Sequence, residues 1–233
     1  MRLIDFARLV KPGYEPDWYH CLLAEYLEAC TSGDGAVPNV LISCPPGHGK
    51  TELTAVLLPA WLLAHDRSRQ LISLAAGDSL AAISSRAVRS ILRSSAFADS
   101  FGPVEFDKES ESEWQLADLD RPTMYSAGVG GSITGRRADV LLFDDLIKSM
   151  ADAFSPTVRD KTFETYRDCG ESRLSPAGVV VGIGTRWHSL DPHGTLLRRA
   201  AEDPLSKQFI YVSLAATNDS GTDSFVLDRK SVV

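Results

Sequence analysis

The chain has 233 residues, with 24 Lys plus Arg against 31 Asp plus Glu, a formal charge of −7. With 44% apolar and 24% charged residues it can bury a core as one α/β domain or two small ones, which excludes disorder over most of its length. The longest apolar run, Ala55 to Ala64, is too short for a bilayer and holds Pro59, so no membrane partner is expected.

Trp18, Leu22, Leu23, Tyr26, Leu27 and Cys30 recur at helical spacing, which predicts a helix over 17–30. Val40–Ser43 reads as a strand buried on both faces, followed by a Pro/Gly loop to Gly49 and a helix from Lys50 to about Ala64, kinked or shortened at Pro59. Leu71–Ala75 is a second strand. Gly77-Asp78-Ser79 supplies a turn and cap for a helix over Leu80–Leu92, which carries Arg86, Arg89 and Arg93 on neighbouring turns. Residues 101–125 hold Lys108 and Arg121 against seven carboxylates, so −5 of the total charge sits there and the rest of the chain can still carry a basic groove. The alternation of Glu109, Glu111 and Glu113 before Trp114 suggests an exposed hairpin insertion over 101–122.

Strands are expected at Met124–Ala127, Val140–Phe143, Val179–Ile183 and Phe209–Val212, and helices from Ser155-Pro156 to about Leu174 and over Gly194–Ala201. Strands alternating with helices imply a mainly parallel central sheet flanked by helices, with right-handed crossovers. From Ala215 the chain turns polar, and 215–233 reads as a linker or frayed end beyond a domain over 1–214. Cys21, Cys30, Cys44 and Cys169 form no C-x-x-C pair and no leader is visible, so a reducing cytoplasm is the expected compartment.

The most informative segment is Cys44-Pro-Pro-Gly-His-Gly-Lys-Thr51, between a buried strand and a helix. In that setting backbone N–H groups turn inward to cradle phosphate, the lysine reaches the β and γ phosphates, and the hydroxyl ligates magnesium. Pro46, Gly47, His48, Gly49, Lys50, Thr51 and Glu52 are therefore expected to bind nucleotide, although Cys44 stands where the first glycine of the usual motif belongs. Asp144 and Asp145 follow four apolar residues. Asp144 is expected to share magnesium with Thr51, and Asp145 to orient or deprotonate the attacking water where many such ATPases use Glu. The alternative for the pair is to cap the helix that follows.

Thr185 and Arg186 either sense the γ-phosphate or form a turn and a surface salt bridge. His188, Asp191 and His193 read as cap and turn residues before Pro192 rather than a metal site. Arg136 is the candidate for an arginine that acts in a neighbour's site, the alternative being a solvated pair with Arg137. Arg86, Arg89 and Arg93 either touch DNA phosphates or form a solvated face.

Pro45–Thr51, the Gly-rich stretch ending in Ser132-Ile-Thr-Gly135, Leu142–Asp145 and Gly184–His188, in this order and spacing, resemble the ATPase domain of the large terminase subunit of tailed bacteriophages, from about Phe6 to Leu214. The resemblance implies a P-loop NTPase sheet of the additional-strand type. It also implies hydrolysis of ATP with Mg to drive double-stranded DNA into a procapsid in the host bacterial cytoplasm. The implied partners are a portal protein, a small terminase subunit and copies of the chain in a ring, usually a pentamer, with a monomer in isolation. An adenine-contacting segment would map near Tyr14 to His20, and a coupling motif onto Gly184, Thr185 and Arg186. Relatives often carry Arg where this chain has Gly47, and an arginine nearer Thr134 than Arg136. They usually continue into an RNase H-like nuclease, so this chain is read as an excised or truncated ATPase part without nuclease activity. Two other readings stay open: a helicase-like remodelling ATPase, and an assembly module that binds nucleotide without turnover.

Overall fold

The computed structural model describes residues 1–33, 39–131, 135–168 and 172–214, and the backbone of 227–228. The chain opens with α1 (Leu3–Val10) and α2 (Trp18–Thr31) and enters the sheet at β1 (Val40–Ser43). A π-helical stretch, Glu52–Leu57, runs into α3 (Leu58–His65). Pro59 has no N–H for the carbonyl of Ala55 and its ring would press on it; the wider turns upstream make room. The kink expected at Pro59 is thus a change of winding. β2 (Leu71–Ala75), α4 (Asp78–Leu92), α5 (Ser95–Phe101), the hairpin β3 (Phe106–Glu109) and β4 (Glu113–Leu116), and β5 (Met124–Gly128) follow. Then come β6 (Ala138–Asp144), α6 (Met150–Phe154), α7 (Pro156–Tyr166), β7 (Leu174–Gly184), α8 (Pro192–Glu202), β8 (Ile210–Leu214) and β9 (Leu227–Asp228).

One nine-stranded sheet results, in the order β3-β4-β5-β2-β6-β7-β1-β8-β9. The six strands from β5 to β8 pair in parallel, and the hairpin and β9 add antiparallel edges. Side chains alternate across the sheet, so each central strand feeds two cores. Val40, Ile42, Leu71, Val140, Leu142, Val181 and Ile183 join the face covered by α1 to α5; Leu41, Ile72, Leu74, Leu141, Phe143 and Val180 join the face covered by α7 and α8.

Several expectations need correction. The helix from Pro156 ends at Tyr166, and Leu174 already belongs to β7, which is longer than expected. Gly77, not a side chain, stands at the N-cap of α4; the Asp78 carboxylate instead accepts from the Gly128 N–H at 2.7 Å. The acidic hairpin is a sheet edge: β3 is exposed, but Trp114 and Leu116 of β4 are buried, and the Trp114 indole N–H donates to Ser85. Most of 215–233 lies outside the described residues, yet Leu227–Asp228 pairs with β8, so the tail re-enters the sheet. No described helix is long and apolar enough to cross a membrane.

Candidate nucleotide site

β7 lies between the strand that precedes the phosphate loop, β1, and the acidic strand, β6. This is the additional-strand arrangement. Ser43 aligns with Gly184, and Ile183 with Asp144, so three strand ends deliver their loops to one edge. Ligands of open parallel sheets bind at the carboxyl ends of the strands.

Within the loop, Gly47 and Gly49 have φ of +79° and +65°, a region where side chains are strained. An Arg in place of Gly47 would carry that strain. At Gly49 a Cβ would also lie 2.8 Å from the His20 Nε2. His20 sits in the first turn of α2 and accepts from the Asp17 N–H through Nδ1 at 3.0 Å, so its proton is on Nε2, which donates to the His48 carbonyl at 3.0 Å. Burial lowers its pKa, and the carbonyl it donates to opposes this. The segment assigned by resemblance to adenine thus braces the phosphate loop. The His48 ring turns back onto the Pro46 carbonyl at 2.8 Å, and Glu52 pairs with Lys11 at 2.6 Å.

Lys50 is 6% exposed, and its ammonium meets Asp145 Oδ2 at 2.9 Å and the Thr185 hydroxyl at 3.2 Å. Asp145 follows the last residue of β6 at φ +41°, a conformation that Asp tolerates better than most side chains. It is held there by its N–H on the Ile183 carbonyl and by the Thr185 N–H on its Oδ1, at 2.9 and 2.7 Å. Asp144 follows the parity of Val140 and Leu142, so it faces the side of the sheet that carries the phosphate-loop helix. There the Thr51 hydroxyl is near enough to favour its ionised form. Burial pushes its carboxyl up to about 6; Asp145 adds to the rise, and Thr51 and Lys50 oppose it. Its Oδ1 is buried and has no hydrogen-bond partner among the described residues. An orphaned carboxylate oxygen beside a threonine hydroxyl fits a hard divalent cation.

Cys44 does not open the loop as glycine would. It continues β1: its N–H donates to the Gly184 carbonyl at 3.1 Å, and burial pushes its thiol up to about 11. Gly184 and Thr185 therefore lie against Cys44, Lys50 and Asp145. Arg186 turns away, donating to Asp191 at 2.8 Å and to the Tyr211 hydroxyl at 3.2 Å. Asp191 caps α8 by accepting from the Gly194 N–H at 2.9 Å, as its place before Pro192 suggests. His193 lies behind the site on the Ser43 hydroxyl, and burial lowers its pKa to about 4.

The remaining expected residues lie elsewhere. Arg136 precedes β6, at the opposite end of that strand, about 25 Å from Asp144 at the usual rise per residue. It is ion-paired with Glu113, with its guanidinium over the Tyr125 ring at 4.4 Å. Arg86 pairs with Glu111 at 2.8 Å, Arg89 with Glu109 at 2.9 Å, and Arg93 with Glu109 as well. The acidic hairpin thus covers the arginine stripe. Thr134 and Cys169 lie outside the described residues.

No protein-family model and no curated protein matches the chain. Among solved structures, the large terminase of bacteriophage HK97 aligns over 94% of this chain and 44% of its own, with a TM-score of 0.60 at 15% identity. The large terminase of a thermophilic bacteriophage aligns over 85% of this chain and 46% of its own, with a TM-score of 0.51 at 11% identity. The chain spans less than half the length of either. In fold, then, the chain is similar to one part of a phage large terminase.

Proposed function

We propose that the chain is the ATPase part of a viral DNA-packaging motor, which hydrolyses ATP with Mg to move double-stranded DNA into a procapsid. The observation that carries this reading is the convergence of Lys50, Thr51, Asp144, Asp145 and Thr185 at the ends of β1, β6 and β7. The terminase-like fold supports the motor class over a generic P-loop protein.

The side chains divide the work by position. The loop from Pro46 to Thr51 offers backbone N–H groups to the phosphates, with His20 holding the His48 carbonyl outward. Lys50 is neutralised by Asp145. A triphosphate competes for that ammonium, because phosphate oxygens carry more charge than one carboxylate. Release of Lys50 leaves Asp145 free to accept a proton from, or orient, the attacking water, with Thr185 fixing its other oxygen. Thr51 and Asp144 would hold a magnesium ion, which supplies neutralisation of the β and γ oxygens. Gly184 and Thr185 pass the state of Lys50 and Asp145 into β7. Arg186 passes it on to α8 through Asp191.

Arg136 can act only in a neighbour's site, which a head-to-tail ring of copies would provide by setting this edge against the P-loop edge of the next. In that reading the portal and the small terminase subunit are the further partners, DNA is the cargo, and the host cytoplasm is the place. A helicase-like enzyme needs a second domain of this type. A non-hydrolysing module would bind ATP without turnover. The test is ATP hydrolysis by the chain beside Lys50→Ala and Asp144→Ala at several protein concentrations. Turnover lost in both variants, rising more than linearly with protein, supports the motor; binding without turnover supports the module.

A further inference from the structure

With Arg86, Arg89 and Arg93 all engaged by Glu109 and Glu111, each arginine of the stripe expected to meet DNA is already ion-paired within the fold. A second basic feature lies on the catalytic edge. A cavity of about 250 Å³ opens where β2, β5 and β6 end, walled by Ala76, Val129, Leu146, Ile147, Lys148 and Lys161 among others. Both lysines are exposed, and among the described residues neither ammonium has an ion-pair partner. Each is seated on a glycine. The Lys148 amine lies 3.1 Å from where a Cβ on Gly77 would stand, and the Lys161 amine 3.1 Å from where one on Gly130 would stand. A side chain at either glycine would crowd the amine in its seat. Among the described residues Asp152 is the one carboxylate in the wall, so this lining keeps an excess of positive charge.

We propose that Lys148 and Lys161 form a contact site for the backbone phosphates of duplex DNA. This rests on the reading of the chain as a DNA-translocating ATPase and names the surface for that partner. Ammoniums on flexible stems act as point charges, suited to phosphates at any sequence. The location adds a mechanical reason. Lys148 lies three residues beyond Asp145, and the intervening Leu146 and Ile147 are buried. A displacement of the Asp144–Asp145 turn on loss of the γ-phosphate therefore reaches Lys148 through two packed residues. The α4 arginines tied to Glu109 and Glu111 have no such short route.

The test is fluorescence anisotropy of a short labelled duplex with the full chain across a salt series, alongside hydrolysis measured without DNA. Lys148→Ala with Lys161→Ala should weaken binding severalfold or more at low salt. It should lower the slope of log affinity against log salt by about 2, near 0.9 for each phosphate that is no longer neutralised. Basal hydrolysis should be unchanged, Lys148→Arg with Lys161→Arg should restore binding, and Arg86→Ala with Arg93→Ala should bind like wild type. Wild-type affinity and slope in the double alanine variant would overturn the site while leaving the ATPase reading intact. So would saturable displacement of the duplex by inorganic pyrophosphate at constant ionic strength, which would mark a small-anion site, or loss of binding confined to the arginine variant. A wild-type chain that hydrolyses ATP but does not bind duplex at low salt also overturns it. Absence of hydrolysis would remove the ATPase reading itself.

Discussion

Asp144→Asn should separate stability from function in a pH-dependent way. In the folded chain the carboxyl ionises near 6, mainly because it is buried, against an ordinary value of 3.8. The ionised form is therefore roughly 3 kcal/mol less favourable in the folded than in the unfolded chain, at 1.36 kcal/mol for each tenfold difference in proton affinity. The sign follows from which state releases its proton first. The unfolded chain does so near pH 4 and the folded chain near pH 6, so between these values the folded state holds the extra proton. Stability from this group is lost as pH rises through that window and stays lost above it. Asn has no proton to release. The stability of wild type relative to Asp144→Asn should thus fall by up to about 3 kcal/mol between pH 4 and pH 7. For a chain of this size that corresponds to a relative change of roughly 6–12 °C in Tm. Taking the difference between the two proteins cancels the other titrating groups. Adding magnesium to the ADP complex should raise the wild-type Tm further at pH 7 and leave the ADP complex of the Asn variant nearly unmoved. Parallel pH profiles for the two proteins would refute the reasoning, because they would mean that the carboxyl titrates like an exposed one.

Three further outcomes follow from the same contacts. Asp145→Asn should keep nucleotide affinity within a fewfold of wild type while lowering kcat on the order of 10²-fold or more, measured by steady-state phosphate release. His20→Ala should weaken nucleotide binding up to roughly tenfold through loss of the brace on the His48 carbonyl, whereas His20→Gln, whose carboxamide offers an acceptor and a donor, should retain most of it; titration with a fluorescent ADP distinguishes them. Arg89→Ala should destabilise the chain by more than about 2 kcal/mol, because a buried guanidinium is removed from Glu109, while Arg86→Ala at the exposed pair should stay within about 0.5 kcal/mol; urea melts of both provide the comparison.

Much of this site was legible because its signals are local. A four-residue apolar strand, a Gly-Lys-Thr triplet and a helix specify a phosphate loop wherever they occur together, and strand parity places Asp144 on the side of Thr51. What the local patterns do not carry depends on contacts distant in sequence, and the additional strand was expected from the resemblance alone. Nothing in Val179–Ile183 alone says that β7 inserts between β1 and β6. The pairing of Arg86, Arg89 and Arg93 with Glu109 and Glu111 spans 16 to 25 residues and turns a candidate DNA face into a fold contact. His20 carried a partial signal: Asp17 and His20 have the spacing of a capping box, but with imidazole in the place of Glu or Gln. Leu3, Phe6 and Ala7 show the spacing of one helix face, which a segment of eight residues carries too briefly to stand out. Arg186 ends its strand like a sensor, and only the fold shows that Asp191 and Tyr211 hold it.

The most direct measurement is calorimetric titration of ATP into wild type, Lys50→Ala and Asp144→Ala, with and without magnesium. Wild type should bind more tightly with magnesium, Asp144→Ala should bind with no magnesium dependence, and Lys50→Ala should show no measurable binding. Equal affinity in all three, or a magnesium response that survives Asp144→Ala, would contradict a nucleotide site built from these side chains.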